Sequence, residues 1–129
     1  MAELKSITPY LQAGPDFDAG IAFYCDVLGF QMRYRDAQMA IVQRDDVEIF
    51  LQNYHKLELA EWTVIRLAAQ DIRALHTEYS QKGILPFHDD PSQPGITALE
   101  EMPWGTTEFS IRDCAGTCLQ FYEKRPAHD

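Results

Sequence analysis

The chain has 129 residues, 46% of them apolar, with seven each of glycine and proline; this is one ordinary globular domain and not a disordered or fibrous chain. Twenty acidic against eleven basic residues give a formal net charge of −9. No basic stripe outweighs that field, which excludes a nucleic-acid-binding surface. No run of about 18 apolar residues offers a membrane span. The opening MAELKSITPYL has one Lys and no apolar stretch, so it is not a secretory leader and a cytoplasmic location is expected.

Residues 7–12 read as a short strand, followed by a turn at Gly14-Pro15. Asp16 is placed to cap a helix whose stripe is Phe17, Ile21, Tyr24 and Leu28, and Gly29 stops it. Three strands are expected over 30–34, 39–43 and 47–52, with Asp45-Asp46 as the hairpin turn between the last two. After a polar stretch at 53–61, the same grammar restarts. Residues 62–67 form a strand with Thr63, Ile65 and Leu67 on one face. Asp71 caps a second helix with stripe Ile72, Leu75 and Tyr79, and Gly83 ends it. Strands are expected again over 84–87, 107–112 and 117–123, and 89–104 is an irregular loop rich in Pro and Gly.

Cap, helix and glycine stop therefore occur twice, which makes an internal repeat of residues 7–52 and 62–123 within one domain. The predicted class is α+β, two tandem β-α-β-β-β units. Each helix covers one face of its sheet and leaves the other half-open for a ligand or a partner subunit.

The three cysteines, an odd number, do not make a disulfide framework; Cys114 and Cys118 flank a turn at Gly116 and read as reduced thiols. No Cys/His set has zinc spacing. His55 and His128 are read as solvated, His76 as a residue at the edge of a helix stripe, and His88-Asp89-Asp90 as a solvated loop. No spacing supports a hydrolase.

The string Asp16-Phe17-Asp18-Ala19, then Ala22-Phe23-Tyr24 and Leu28-Gly29-Phe30, resembles the first helix of the vicinal oxygen chelate superfamily. The closing Pro103-Trp104-Gly105, Glu108-Phe109, Asp113, Gly116 and Leu119 resemble its bleomycin-resistance branch, as do Pro9-x-Leu11 and Arg44-Asp45-Asp46-Val47. The resemblance runs over nearly the whole chain. It implies paired βαβββ units and a homodimer, often with the first strand exchanged. It also implies two ligand clefts at the subunit interface, where the resistance proteins sequester a drug unchanged.

Metal-dependent members of that superfamily place a His, Gln or Glu on each of four strands, all on the open faces. Strand alternation puts Pro9, Glu48 (or Phe50), Val64 and Gln120 near those positions here. Two weak oxygen donors with no His, and Arg66 beside them, fall short of a catalytic site, so no metal and no cofactor are expected. What remains is an aromatic groove: Met39, Phe50, Tyr122, Trp104 and Trp62, with Glu48, Gln52, Arg66 and Gln120 between them. Such walls suit a flat amphipathic ligand. Trp104 is either the stacking surface that the resemblance implies or an interface residue. Met39 stands where the branch tends to carry a ring and Arg66 where it carries an apolar group, while Glu100 and Glu101 bring negative charge near the same mouth. The expected function is non-catalytic sequestration of a bleomycin-type antibiotic. The alternatives are a metal-dependent lyase, isomerase or dioxygenase on the same fold, and a sensing or structural dimer whose grooves its own side chains fill.

Overall fold

A computed structural model describes residues 1–126. The elements run β1 (Tyr10–Gln12), α1 (Phe17–Ala22), a π-helical turn (Phe23–Val27), β2 (Gln31–Arg35), β3 (Met39–Arg44) and β4 (Val47–Gln52). They continue with α2 (Leu57–Ala60), β5 (Val64–Ala68), α3 (Ile72–Ser80), β6 (Gly95–Ile96), β7 (Glu100–Glu101), β8 (Thr106–Arg112) and β9 (Cys118–Lys124). They make two sheets, one in the order β1-β4-β3-β2 and one in the order β5-β9-β8-β6 with β7 also on β8. In each sheet the opening strand pairs parallel to the closing one: β1 with β4, and β5 with β9.

The predicted caps form. Asp16 accepts a hydrogen bond from the Ala19 amide at 3.1 Å, and Asp71 accepts from the Ala74 amide at 3.4 Å. Asp45 takes a positive φ of 51° in the β3–β4 hairpin, as a two-residue turn of this kind requires. Gly20 is needed for contact: a Cβ there would lie 2.1 Å from the Ala13 carbonyl oxygen, so α1 sits directly on the chain leaving β1.

Several boundaries differ from expectation. The first strand begins at Tyr10 and not at residue 7: the Phe50 amide donates to the Pro9 carbonyl at 3.0 Å, but Pro9 has no amide to return the bond, and the chain before it leaves the sheet. The strand expected over 62–67 runs Val64–Ala68. Trp62 belongs instead to a turn closing α2, a helix in the stretch read as polar loop, where the Thr63 amide bonds the Ala60 carbonyl at 2.9 Å. Residues 84–87 supply only a parallel bridge between Pro86 and Ile96, made by the Phe87 amide to the Ile96 carbonyl at 2.8 Å and the Ile96 amide to the Leu85 carbonyl at 2.9 Å. The loop 89–104 contributes β6 and β7, both paired antiparallel to β8. His128 lies outside the described residues.

One core cluster joins the helix-facing sides of both sheets. It holds Leu11, Ala40, Val42, Ile49 and Leu51 from the first sheet and Leu67, Phe109, Ile111, Leu119 and Phe121 from the second. Phe109 and Phe121 stack at 4.9 Å, and Tyr79 meets Phe121 at 5.5 Å. Because the buried sides of the two sheets share one core, their other sides face away from each other. That geometry sets where a ligand can sit.

Candidate functional site

The open side of the first sheet follows from strand alternation. With Ile49 and Leu51 buried, β4 turns Glu48, Phe50 and Gln52 outward; with Ala40 and Val42 buried, β3 turns out Met39 and Ile41. The register sets Met39 opposite Gln52 and Ile41 opposite Phe50. Tyr10 on β1 lies opposite Phe50, their rings 5.3 Å apart edge to face. This face is apolar and aromatic, with amide and carboxylate groups along it.

The second open side is built differently. Leu119 and Phe121 face the core, so Gln120 and Tyr122 point outward, beside Arg66 and Val64 of β5. Opposite Tyr122 lies Glu108 of β8, which is only 5% exposed. Its carboxylate accepts from Arg66 at 3.0 and 2.9 Å, from the Trp104 indole Nε1 at 3.0 Å and from the Thr106 hydroxyl at 2.6 Å. Arg66 donates a further bond to the Gln120 side-chain oxygen at 3.0 Å and lies over the Tyr122 ring, 4.4 Å from its centroid. The Arg66 fork, reinforced by the other donors, holds the Glu108 carboxyl down at about 2 against the upward push of its burial.

Trp104 stands at the tip of the β7–β8 hairpin. The Met102 amide bonds the Thr106 carbonyl at 2.8 Å, and Gly105 turns the chain at φ 98°. Arg125 braces this hairpin through the carbonyls of Met102, at 2.9 Å, and Thr106. The indole is thus held by its N–H edge while 64% of the residue stays exposed.

Of the nine residues singled out from sequence, Trp104, Arg66, Gln120 and Tyr122 come together on the second sheet through Glu108. Met39, Glu48, Phe50 and Gln52 share the first sheet. Among the described residues, no hydrogen bond or ring contact joins the two groups. Trp62 stands in its turn, 85% exposed, apart from both. A cavity of about 620 Å³ opens elsewhere, between the β3–β4 hairpin, the end of β5 and α3, and is floored by Phe30, Leu67, Leu75, Tyr79 and Phe121. None of the nine lines it.

The four positions at which the superfamily resemblance implies metal ligands offer too few side-chain donors for a divalent cation. Pro9 and Val64 offer no side-chain donor, and the Gln120 oxygen is engaged by a guanidinium. Among the described residues, no three of His, Cys, Asp and Glu cluster as metal ligands. Cys114 and Cys118 are half-buried free thiols, both pushed up by burial, Cys114 to about 11. His76 is tied to the Thr97 carbonyl at 2.9 Å and lies on the Phe109 ring, and His88 bonds the Pro94 carbonyl at 3.2 Å.

Glu108, which joins this cluster, is not among the nine residues singled out from sequence. The same alternation finds it: Phe109 and Ile111 inward put Glu108 outward. Its partner Arg66 is unreadable from one sequence, because the pairing of β5 with β9 joins residues more than fifty positions apart.

Two sheets, each with a parallel outer pair and one open face over a common core, define the glyoxalase, bleomycin-resistance and dioxygenase class of folds. The sequence is 32% identical over 109 residues to a bleomycin resistance protein of Klebsiella pneumoniae, covering 84% of each chain. Its structure superposes with a TM-score of 0.82 on the bleomycin-binding protein of bleomycin-producing Streptomyces verticillus, complexed with copper(II)-bleomycin; the two share 30% identity over 98% of this chain and 100% of that one. The bleomycin resistance determinant encoded on transposon Tn5 gives a TM-score of 0.83 at 30% identity, over 95% of this chain and 100% of that one. No family model matches the sequence. The chain belongs to the bleomycin resistance protein family.

Proposed function

We propose that the protein binds and sequesters a bleomycin-type glycopeptide antibiotic without altering it, in grooves completed by a second copy of the chain. The observation that carries this is its family, together with a relative that matches essentially the whole chain at 30% identity and is complexed with copper(II)-bleomycin. The two open faces support the dimer. They point away from one another across a single core, so the second wall of any groove must come from elsewhere. Surface apolar groups mark them, with Tyr10 on the first face and Val64 and Trp104 on the second. Trp104, Tyr122, Arg66 and Gln120 from one subunit facing Met39, Phe50, Gln52 and Glu48 from the other would enclose a flat ligand between aromatic walls. The residues before Tyr10 are free to cross to that second copy. Among the described residues no helix is long and apolar enough to cross a membrane, and the cytoplasm is the compartment in which we place the protein.

Titration with bleomycin, followed through tryptophan fluorescence, tests the proposal. Binding far tighter than millimolar is expected; an affinity no better than about −4 kcal/mol would sink it. The lyase, isomerase or dioxygenase reading requires one Zn, Fe, Mn or Ni per subunit after dialysis, and metal analysis is expected to find none.

A further inference from the structure

Arg66 poses a difficulty for the proposed function. A cation on the wall of a groove meant for a cationic antibiotic raises the cost of binding by like-charge repulsion. The structure places its remedy beneath it. Glu108 is buried under the second open face, and its two oxygens receive four hydrogen bonds: two from Arg66, one from Trp104 and one from Thr106. The Arg66 side chain keeps 41% of its surface accessible, so the ligand meets it, but as half of a forked ion pair and not as a free charge.

We propose that Glu108 is the specificity-determining positioning residue of this groove. It cancels the charge of Arg66 and pins the edge of Trp104, so that Trp104, Arg66 and Tyr122 present a neutral, flat wall to a cationic planar ligand. This rests on the binding function proposed above and adds its selectivity.

The chemistry follows from what each partner can accept. Arg66, Trp104 and Thr106 all point donors at one carboxylate. Glutamine in its place keeps one oxygen and introduces an amide that is itself a donor, so it cannot satisfy all of them. Arg66 is then left with its full charge, and the indole loses its anchor. The guanidinium keeps its place over the Tyr122 ring, 4.4 Å from the centroid, only while the fork holds Arg66.

The test compares Glu108→Gln with the double variant Glu108→Gln/Arg66→Met against two probes: bleomycin with a cationic terminal amine, and its free-acid derivative carrying a carboxylate there. Glu108→Gln is expected to shift the ratio of the two affinities about tenfold toward the acid. The double variant, with no charge on the wall, returns the ratio to within about threefold of wild type. An unchanged ratio in Glu108→Gln overturns the charge role, since a merely structural loss weakens both probes alike. In the ligand-free protein the Trp104 indole N–H resonance, identified by its absence in Trp104→Phe, is expected to move in Glu108→Gln; a resonance that stays put overturns the pin. Should the wild-type chain bind neither probe, the sequestration function and its selectivity fall together, while the indole resonance still decides the pin.

Discussion

Two tyrosines, one from the first helix region and one from α3, tie the two halves of the molecule together, and they do it under different conditions. Tyr24 donates to Asp113 at 2.7 Å in a fully enclosed seam, where Asp113 also accepts from the amides of Ala115, Gly116 and Thr117. Tyr79 donates to the Leu28 carbonyl at 2.8 Å, beside Arg44, which donates to the same carbonyl at 2.9 Å and to both oxygens of Glu78 at 2.7 and 2.9 Å. This second seam opens onto the 620 Å³ cavity, and Glu78 is 39% exposed. One seam is dry and holds a single charge with four donors; the other is wet and holds an ion pair. The same architectural joint is therefore made once by desolvated hydrogen bonding and once by partly solvated electrostatics, and the two respond differently to mutation, pH and salt.

The largest difference should come from deleting each anchor. Asp113→Ala strands three amides and a tyrosine hydroxyl and is expected to cost about 3 kcal/mol, a fall of roughly 10 °C in Tm. Asp113→Asn keeps an oxygen for the amides and is expected to cost about 1 kcal/mol. Denaturant melts of both variants check this, and an alanine variant as stable as wild type would show that the enclosed seam carries no weight. Arg44→Met in the open seam should cost less, about 1–1.5 kcal/mol, because water replaces part of what is lost; equal costs for Arg44→Met and Asp113→Ala would erase the distinction.

The seams should also titrate in opposite senses. Burial pushes Asp113 up to about 6 despite its four donors, so its contribution is full below the unfolded value of about 3.9 and is lost as pH rises toward 6. Glu78 is held down by the Arg44 hydrogen bonds, so its contribution is full above about 4.3 and is lost as pH falls through the lower folded value. Relative to wild type, Asp113→Asn should gain stability as pH rises from 4 to 6, while the cost of Glu78→Gln should stay constant above about 4.3 and shrink only as pH falls below it. Parallel profiles from urea melts would contradict the contrast. The smallest effect is that of salt: near 1 M NaCl the cost of Arg44→Met should shrink by a few tenths of a kcal/mol while that of Asp113→Ala stays fixed.

The sequence makes the local features of this fold legible and hides the distant ones. Asp16, Asp71 and the Asp45-Asp46 turn announce themselves because a cap or hairpin is decided within four residues. Alternation correctly assigns the outward side of β4 and β9, since Ile49, Leu51, Leu119 and Phe121 are all buried. Its failures have causes. Proline at 9 breaks a ladder that apolar patterning alone would extend, and Trp62, apolar and next to a strand, is carried out of it by the turn that closes α2. The candidate site was half legible: Trp104, Arg66, Gln120 and Tyr122 are each singled out from the sequence, but the carboxylate that joins them in one cluster belongs to another strand. The Arg44–Glu78 pair is hidden in the same way, with one partner on β3 and the other on α3, 34 residues apart. A single sequence carries periodicity within a strand but not the register between strands.

The arm before Tyr10 has a further consequence. Leu4 and Ile7 stand almost wholly in solvent, and no strand among the described residues pairs with residues 1–9 beyond the single Pro9 bond. Apolar side chains that find cover only on another molecule convert stability into a matter of mass action. Where that other molecule is a second copy, the melting temperature climbs with protein concentration, and each tenfold dilution removes about 1.4 kcal/mol per dimer. A small cellular pool of this protein would then be less stable per molecule than a large one, so its abundance and its durability rise together.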